Sequence, residues 1–301
     1  MSSNALKALT DELAAKGSAN AADALRLRRE VFPDGVISRD EAEALIALEA
    51  RVANSDSAWT QCFTEAICDH VLENGAQPNV NAAAAVWLIN CFSKDAPRET
   101  ELRALLKLVE HADSVPDSLV VFLRARLGAF VKGRPLGPSD VEMIRHCLYA
   151  GDVFVNEDEA RWLFALDAES DGRANDPAWG DLFVKAQLNH LMGAQAPALL
   201  DAESMRARQA WLEDTSRKPV SNLAHIFSGG LKGYIEHVRE PGMSEALEED
   251  YAALNANSEE DAQLTPQERA WALGMSQQDG KLSANERALM AELQKIESPR
   301  G

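Results

Sequence analysis

Trp59–His70 reads W-T-Q-C-F-T-E-A-I-C-D-H, and Trp179–His190 reads W-G-D-L-F-V-K-A-Q-L-N-H. Tryptophan, phenylalanine, alanine and histidine recur at matching places with a constant offset. The stretches ahead of them match too: E-A-E-A-L-I-A-L-E at Glu41–Glu49 stands against E-A-R-W-L-F-A-L-D at Glu159–Asp167. Self-similarity of this kind marks a duplicated helical unit and takes precedence over local readings. The fold class is therefore all-α, built of duplicated multi-helix units.

Composition agrees. Hydrophobic residues make up 46% of the 301, enough for real cores, while aromatics are only 6%. Alanine and leucine dominate the apolar set, and both lose little on entering a helix. The formal net charge is -18. Nucleic-acid affinity comes chiefly from neutralising phosphates, so no nucleic acid is expected as partner. Divalent cations or a protein partner suit such a charge better. Cys62, Cys68, Cys91 and Cys147 form no C-x-x-C pair and read as buried, reduced thiols. The start, M-S-S-N-A-L-K-A-L-T, lacks a signal peptide's basic end and apolar run. No window approaches eighteen apolar residues, so no membrane is expected and the location is cytoplasmic.

Breaks and capping signals divide the chain. Residues 1–20 form an alanine-rich lead-in, a short helix or a frayed end. A first repeat pair fills 21–132, closed by the break K-G-R-P-L-G-P. A second strong copy fills 139–193. Residues 194–263 form an acidic, partly ordered connector, and 264–301 a helical hairpin. Ser38 with Glu41, Asn156 with Glu159, and Ser283 with Glu286 each read as a capping box. Arg124 and Arg126 are placed on the outer side of a helix over 119–131.

Three breaks share a pattern: D-G-V-I-S-R-D-E at Asp34–Glu41, D-G-K-L-S-A-N-E at Asp279–Glu286, and the looser D-V-F-V-N-E-D-E at Asp152–Glu159. Each sets an acid before a turn, then an aliphatic, a capping group, and a glutamate one turn into the helix. This resembles the second half of an EF-hand loop, whose last glutamate holds calcium bidentately. The first halves depart from it, with Glu30 and Phe32 in one and Met275 and Gln277 in the other. A turn plus a capping box accounts for the same residues.

D-A-E-S-D-G-R-A-N at Asp167–Asn175 is a better oxygen cluster. Asp167, Glu169 and Asp171 take the first, third and fifth places, Gly172 the sixth and Asn175 the ninth, the spacing of a calcium loop. Ala178 stands where a bidentate glutamate belongs, with Asp176 or Asp181 as substitutes. Solvated loop acids and a weak Ca²⁺ or Mg²⁺ site both fit. His70 and His190 sit late in the repeated helix, suited to its dipole or to ligating a metal. Trp59 and Trp179 read as core anchors.

Helix pairs joined at D-G-x-[IL]-S-x-x-E resemble the TerB-like, tellurite-resistance helical domains. D-G-K-L-S-A-N-E-R-A-L-M at Asp279–Met290 is the closest piece, and D-G-V-I-S-R-D-E-A-E-A-L at Asp34–Leu45 the next. The resemblance implies an all-helical, acidic, cytoplasmic protein associated with divalent metals and stress responses. Asp34, Glu41, Asp279 and Glu286 are the acidic positions it matches.

No G-x-S-x-G, P-loop, H-E-x-x-H or dinucleotide fingerprint occurs, and Gly229, Gly230 and Gly233 lack a preceding strand. A non-enzyme is expected. The reading is an acidic helical protein binding a divalent cation through the Asp167 loop; the alternative is a metal-free scaffold for a protein partner.

Overall fold

A computed structural model describes residues 2–31, 37–72, 78–149, 155–193, 265–277 and 280–297. The Asp34 and Asp279 positions and the 194–263 connector lie outside the described residues. The fold is all-α in its main elements. The helices are α1 (Ser2–Lys16), α2 (Ala21–Arg26, continuing into a π turn Leu27–Val31), α3 (Arg39–Glu49) and α4 (Ser57–Leu72). Then come α5 (Ala82–Phe92), α6 (Glu99–His111), α7 (Asp117–Val131), α8 (Pro138–Tyr149), α9 (Glu157–Ser170) and α10 (Pro177–Gly193). The last two are α11 (Pro266–Ser276) and α12 (Ala284–Glu297). A two-residue parallel pair, Ser18–Ala19 with Asn54–Ser55, is the only sheet among the described residues. No described helix is long and apolar enough to cross a membrane.

Side-chain caps fix where these helices start. Asn20, Ser38, Asn156 and Thr265 each accept from the third helical N–H, while Asp23, Glu41, Glu159 and Glu268 reach back to the cap. Ser283 and Glu286 close the same box at α12. Such a box satisfies two donors that every helix start otherwise leaves unpaired. Gly172, with φ +72°, stops α9 in the left-handed region that favours glycine.

The chain divides into two compact units, Met1–Val131 and Lys132–Gly301. In the first, α4 is central and packs on α6; α4 gives Trp59, Phe63 and Ile67 to the core, and α6 gives Leu102, Leu105 and Leu108. All six are fully buried. Burial of each such side chain is worth about 1.5–3 kcal/mol. α1 is a formed helix whose Leu9 and Leu13 are buried, and it packs on α3 and the π turn. In the second unit α10 is central, touching α8, α9 and α12, while α11 packs on α9.

Two details depart from the sequence reading. Arg126 turns inward, because buried Glu101 offers both carboxylate oxygens to its Nε and Nη2 at 2.7 Å. The loop after Leu166 starts later than its acids suggest: α9 runs on through Ser170, with Leu163, Leu166, Asp167 and Ser170 on its buried face.

Candidate functional site

Each unit holds one buried carboxylate under its central tryptophan. In the first, Glu49 at the end of α3 accepts from the Trp59 indole N–H at 2.7 Å, and from Thr100, the second residue of α6. Burial pushes the Glu49 carboxyl up, against the pull of these bonds and of the Arg98 charge. Arg98 also donates to the Glu49 and Val52 carbonyls at 2.9 and 2.6 Å and to that of Ala50, closing the end of α3.

In the second unit Asp167 takes the same part. Its Oδ1 accepts from the Trp179 indole at 3.0 Å and from the amide of Asn285, the second residue of α12, at 2.6 Å. Its Oδ2 accepts from the Ser283 hydroxyl at 2.6 Å. Trp59 and Trp179 are core anchors, 0% and 1% exposed.

The histidines repeat as well. His70 Nδ1 meets the Ile37 carbonyl at 2.7 Å, and His190 Nδ1 meets that of Val155 at 2.9 Å. A carbonyl only accepts, so Nδ1 carries the proton in both. Each bond ties the end of the central helix to the residue preceding the cap of the helix before it.

Above each histidine lies a tryptophan absent from the sequence reading. Trp87 and Trp271 are the sixth residues of α5 and α11, their ring centroids 5.1 and 4.7 Å from His70 and His190. Trp87 donates to Glu43 at 2.8 Å, and Trp271 to Glu157 at 3.3 Å. The guanidinium carbons of Arg39 and Arg161 stand 5.5 and 5.7 Å from those rings, cation–π distances. The arginine and glutamate are exchanged between units. Arg39 is the first residue of α3 and Glu43 the fifth; Glu157 is the first of α9 and Arg161 the fifth. Hydrogen bonds from Trp87 and then Arg39 hold the Glu43 carboxyl below its usual range. Arg161 and then Trp271 do the same for Glu157. In the first unit the cluster borders a cavity of about 250 Å³, lined by Arg39, His70, Val71, Asn81, Ala83, Ala84 and Trp87.

The acids singled out in the sequence are dispersed. Asp167 is 2% exposed and inside α9, its lone pairs taken up by an indole, a hydroxyl and an amide. Donors of that kind are the wrong neighbours for a cation ligand, which needs its lone pairs for the metal. Glu169 reaches Lys132 at 3.5 Å and Asp171 reaches Lys281 at 3.3 Å. Asn175 bridges the Leu136 N–H and the Ser170 carbonyl. Glu41 and Glu286 cap α3 and α12. Among the described residues no group of three or more His, Cys, Asp or Glu side chains could hold a metal ion. The four cysteines are buried and unbridged, and burial pushes the Cys68 thiol up to about 12.

No protein-family model, no curated protein and no solved structure matches the chain.

Proposed function

We propose that the chain is a non-enzymatic helical scaffold for a protein partner, made of one four-helix unit used twice: α3–α4–α5–α6, then α9–α10–α11–α12. In this reading its acids organise helices and do not bind a cation. One observation carries it: Glu49 and Asp167 share two kinds of donor, an indole from the central helix and a side chain from the second position of the last. An acid committed to an indole and a helix start is a packing device, because a buried carboxylate is stable only when its oxygens are hydrogen-bonded. On this assignment α11 and α12 complete the second unit.

The rival reading is a divalent-cation protein. Calorimetric titration with Ca²⁺ and with Mg²⁺, paired with affinity capture by the tagged chain in chelator, separates the two. We expect no heat of cation binding up to millimolar metal, the weak end for calcium loops, and a stoichiometric protein partner retained in chelator. Saturable cation binding in that range, or a partner released by chelator, overturns the scaffold.

A further inference from the structure

The two tryptophan clusters differ in what they leave over. In the second unit every nitrogen of the Arg161 guanidinium makes a bond: Nε and Nη2 are on Glu157, and Nη1 is on the Met275 sulfur at 3.3 Å. In the first unit only Nε of Arg39 is engaged, by Glu43 at 3.2 Å. Neither Nη of Arg39 bonds a described residue, and its side chain is 64% exposed. Asn81, which also lines the cavity, spends its Oδ1 on the Ala84 N–H, so the polar group it has left is its NH₂. The polar groups offered to the cavity by Arg39 and Asn81 are therefore donors. The rest of its lining is the His70 ring and the apolar Val71, Ala83, Ala84 and Trp87.

The space itself comes from two alanines. Ala83 and Ala84 are the second and third residues of α5, and the same places in α11 hold Gln267 and Glu268. Long side chains, one of them anionic, thus stand in the second unit where the first has methyl groups beside a guanidinium fork.

We propose that the Arg39–Asn81–Trp87 cavity binds a small organic monocarboxylate with a compact apolar body. The carboxylate meets the planar fork of Arg39, which matches it bidentately. The body rests on Val71, Ala83, Ala84 and the rim of Trp87. A volume of about 250 Å³ lies just under the range of drug-sized pockets and suits a metabolite-sized acid. The chain's net charge of -18 does not forbid an anion. Exposed charges are screened beyond about 8–10 Å, so distant acids count for little, and the anion that shares the Arg39 guanidinium is Glu43, on Nε at 3.2 Å. This site is independent of the scaffold reading.

The test is ligand-observed NMR with the full chain, using phenylacetate, benzoate and isovalerate, with phenylacetamide as uncharged isostere. At least one acid binds, and the amide binds about tenfold more weakly or worse, since the charge-assisted pair is lost. Arg39→Gln and Ala84→Glu each weaken the acid about tenfold or more, while Arg161→Gln leaves it unchanged. Circular dichroism confirms that these surface variants fold. The proposal is overturned if none of the acids binds at several millimolar, if the amide binds as well as its acid, or if Arg39→Gln binds like the parent.

Discussion

Replacing Asp167 by alanine removes the acceptor of hydrogen bonds from Trp179, Ser283 and Asn285 at once. The Trp179 and Ser283 donors are buried, at 1% and 6% exposure, so no solvent replaces the carboxylate there. A stranded buried donor costs about 1–3 kcal/mol, which makes about 2–6 kcal/mol for the pair. Asn285 is half-buried and reaches water, so it adds little. The middle of that range, about 4 kcal/mol, is a large share of the 5–15 kcal/mol that holds a typical domain folded. Asp167→Asn keeps Oδ1 for the indole and the Asn285 amide and strands only the Ser283 hydroxyl proton. It should cost about 1–3 kcal/mol, half the alanine figure.

The assay is urea unfolding of both variants in chelator, followed by circular dichroism and tryptophan fluorescence. A cation ligand in an open loop would behave otherwise: with no metal present, either substitution would stay within about 0.5 kcal/mol of the parent. If Asp167→Ala falls in that window, the buried-acceptor account of Asp167 is wrong.

Two further outcomes follow from the same contacts. Burial raises the Glu49 and Glu101 carboxyls above their ordinary 4.5, so the folded chain keeps protons that the unfolded chain has lost. The stability they contribute is full below 4.5 and is lost as pH rises through the folded values. Unfolding titrations should therefore show Glu49→Gln gaining on the parent from pH 4.5 toward neutrality; parallel curves would refute it. Gly172→Ala should destabilise by about 1–2 kcal/mol in urea unfolding, because a Cβ there meets no atom within 4 Å and the whole cost is the positive φ. A neutral or stabilised variant would show that the turn after α9 relaxes.

Helix starts were legible in the sequence because a capping box is written in adjacent residues. Ser38 with Glu41, Asn156 with Glu159, and Ser283 with Glu286 carry their own partner three places on. The likeness of the two W-to-H stretches was legible because Trp59–His70 and Trp179–His190 each run uninterrupted. Trp87 and Trp271 were not, since residues 194–264 separate α10 from α11 and break the offset that relates the other pairs. The acids from Asp167 lie apart for a different reason. Ligand spacing takes every second residue, but on a helix positions i and i+2 face apart. Once α9 continues through Ser170, Asp167 points inward while Glu169 is exposed. The partners that hold Asp167 inward, Ser283 and Asn285, lie at the start of the last helix, more than a hundred residues on.

The exchange of Arg39 and Glu43 for Glu157 and Arg161 has an energetic direction. A glutamate at the first residue of a helix sits well with the positive end of the dipole, and glutamate preceding a cation by four residues is the better order. The second unit follows both preferences with Glu157 and Arg161. The first unit violates both, placing the Arg39 cation at the helix start and Glu43 after it. Either order puts a cation over the tryptophan and an acceptor on its indole, so packing of α5 or α11 does not choose between them. What the unfavourable order changes is the guanidinium: Arg39 lines a cavity with both Nη groups off any described residue, whereas both Nη groups of Arg161 bond Glu157 and Met275. Functional sites are where a local preference is expected to be broken without structural gain, which is why Arg39 is the first residue to substitute.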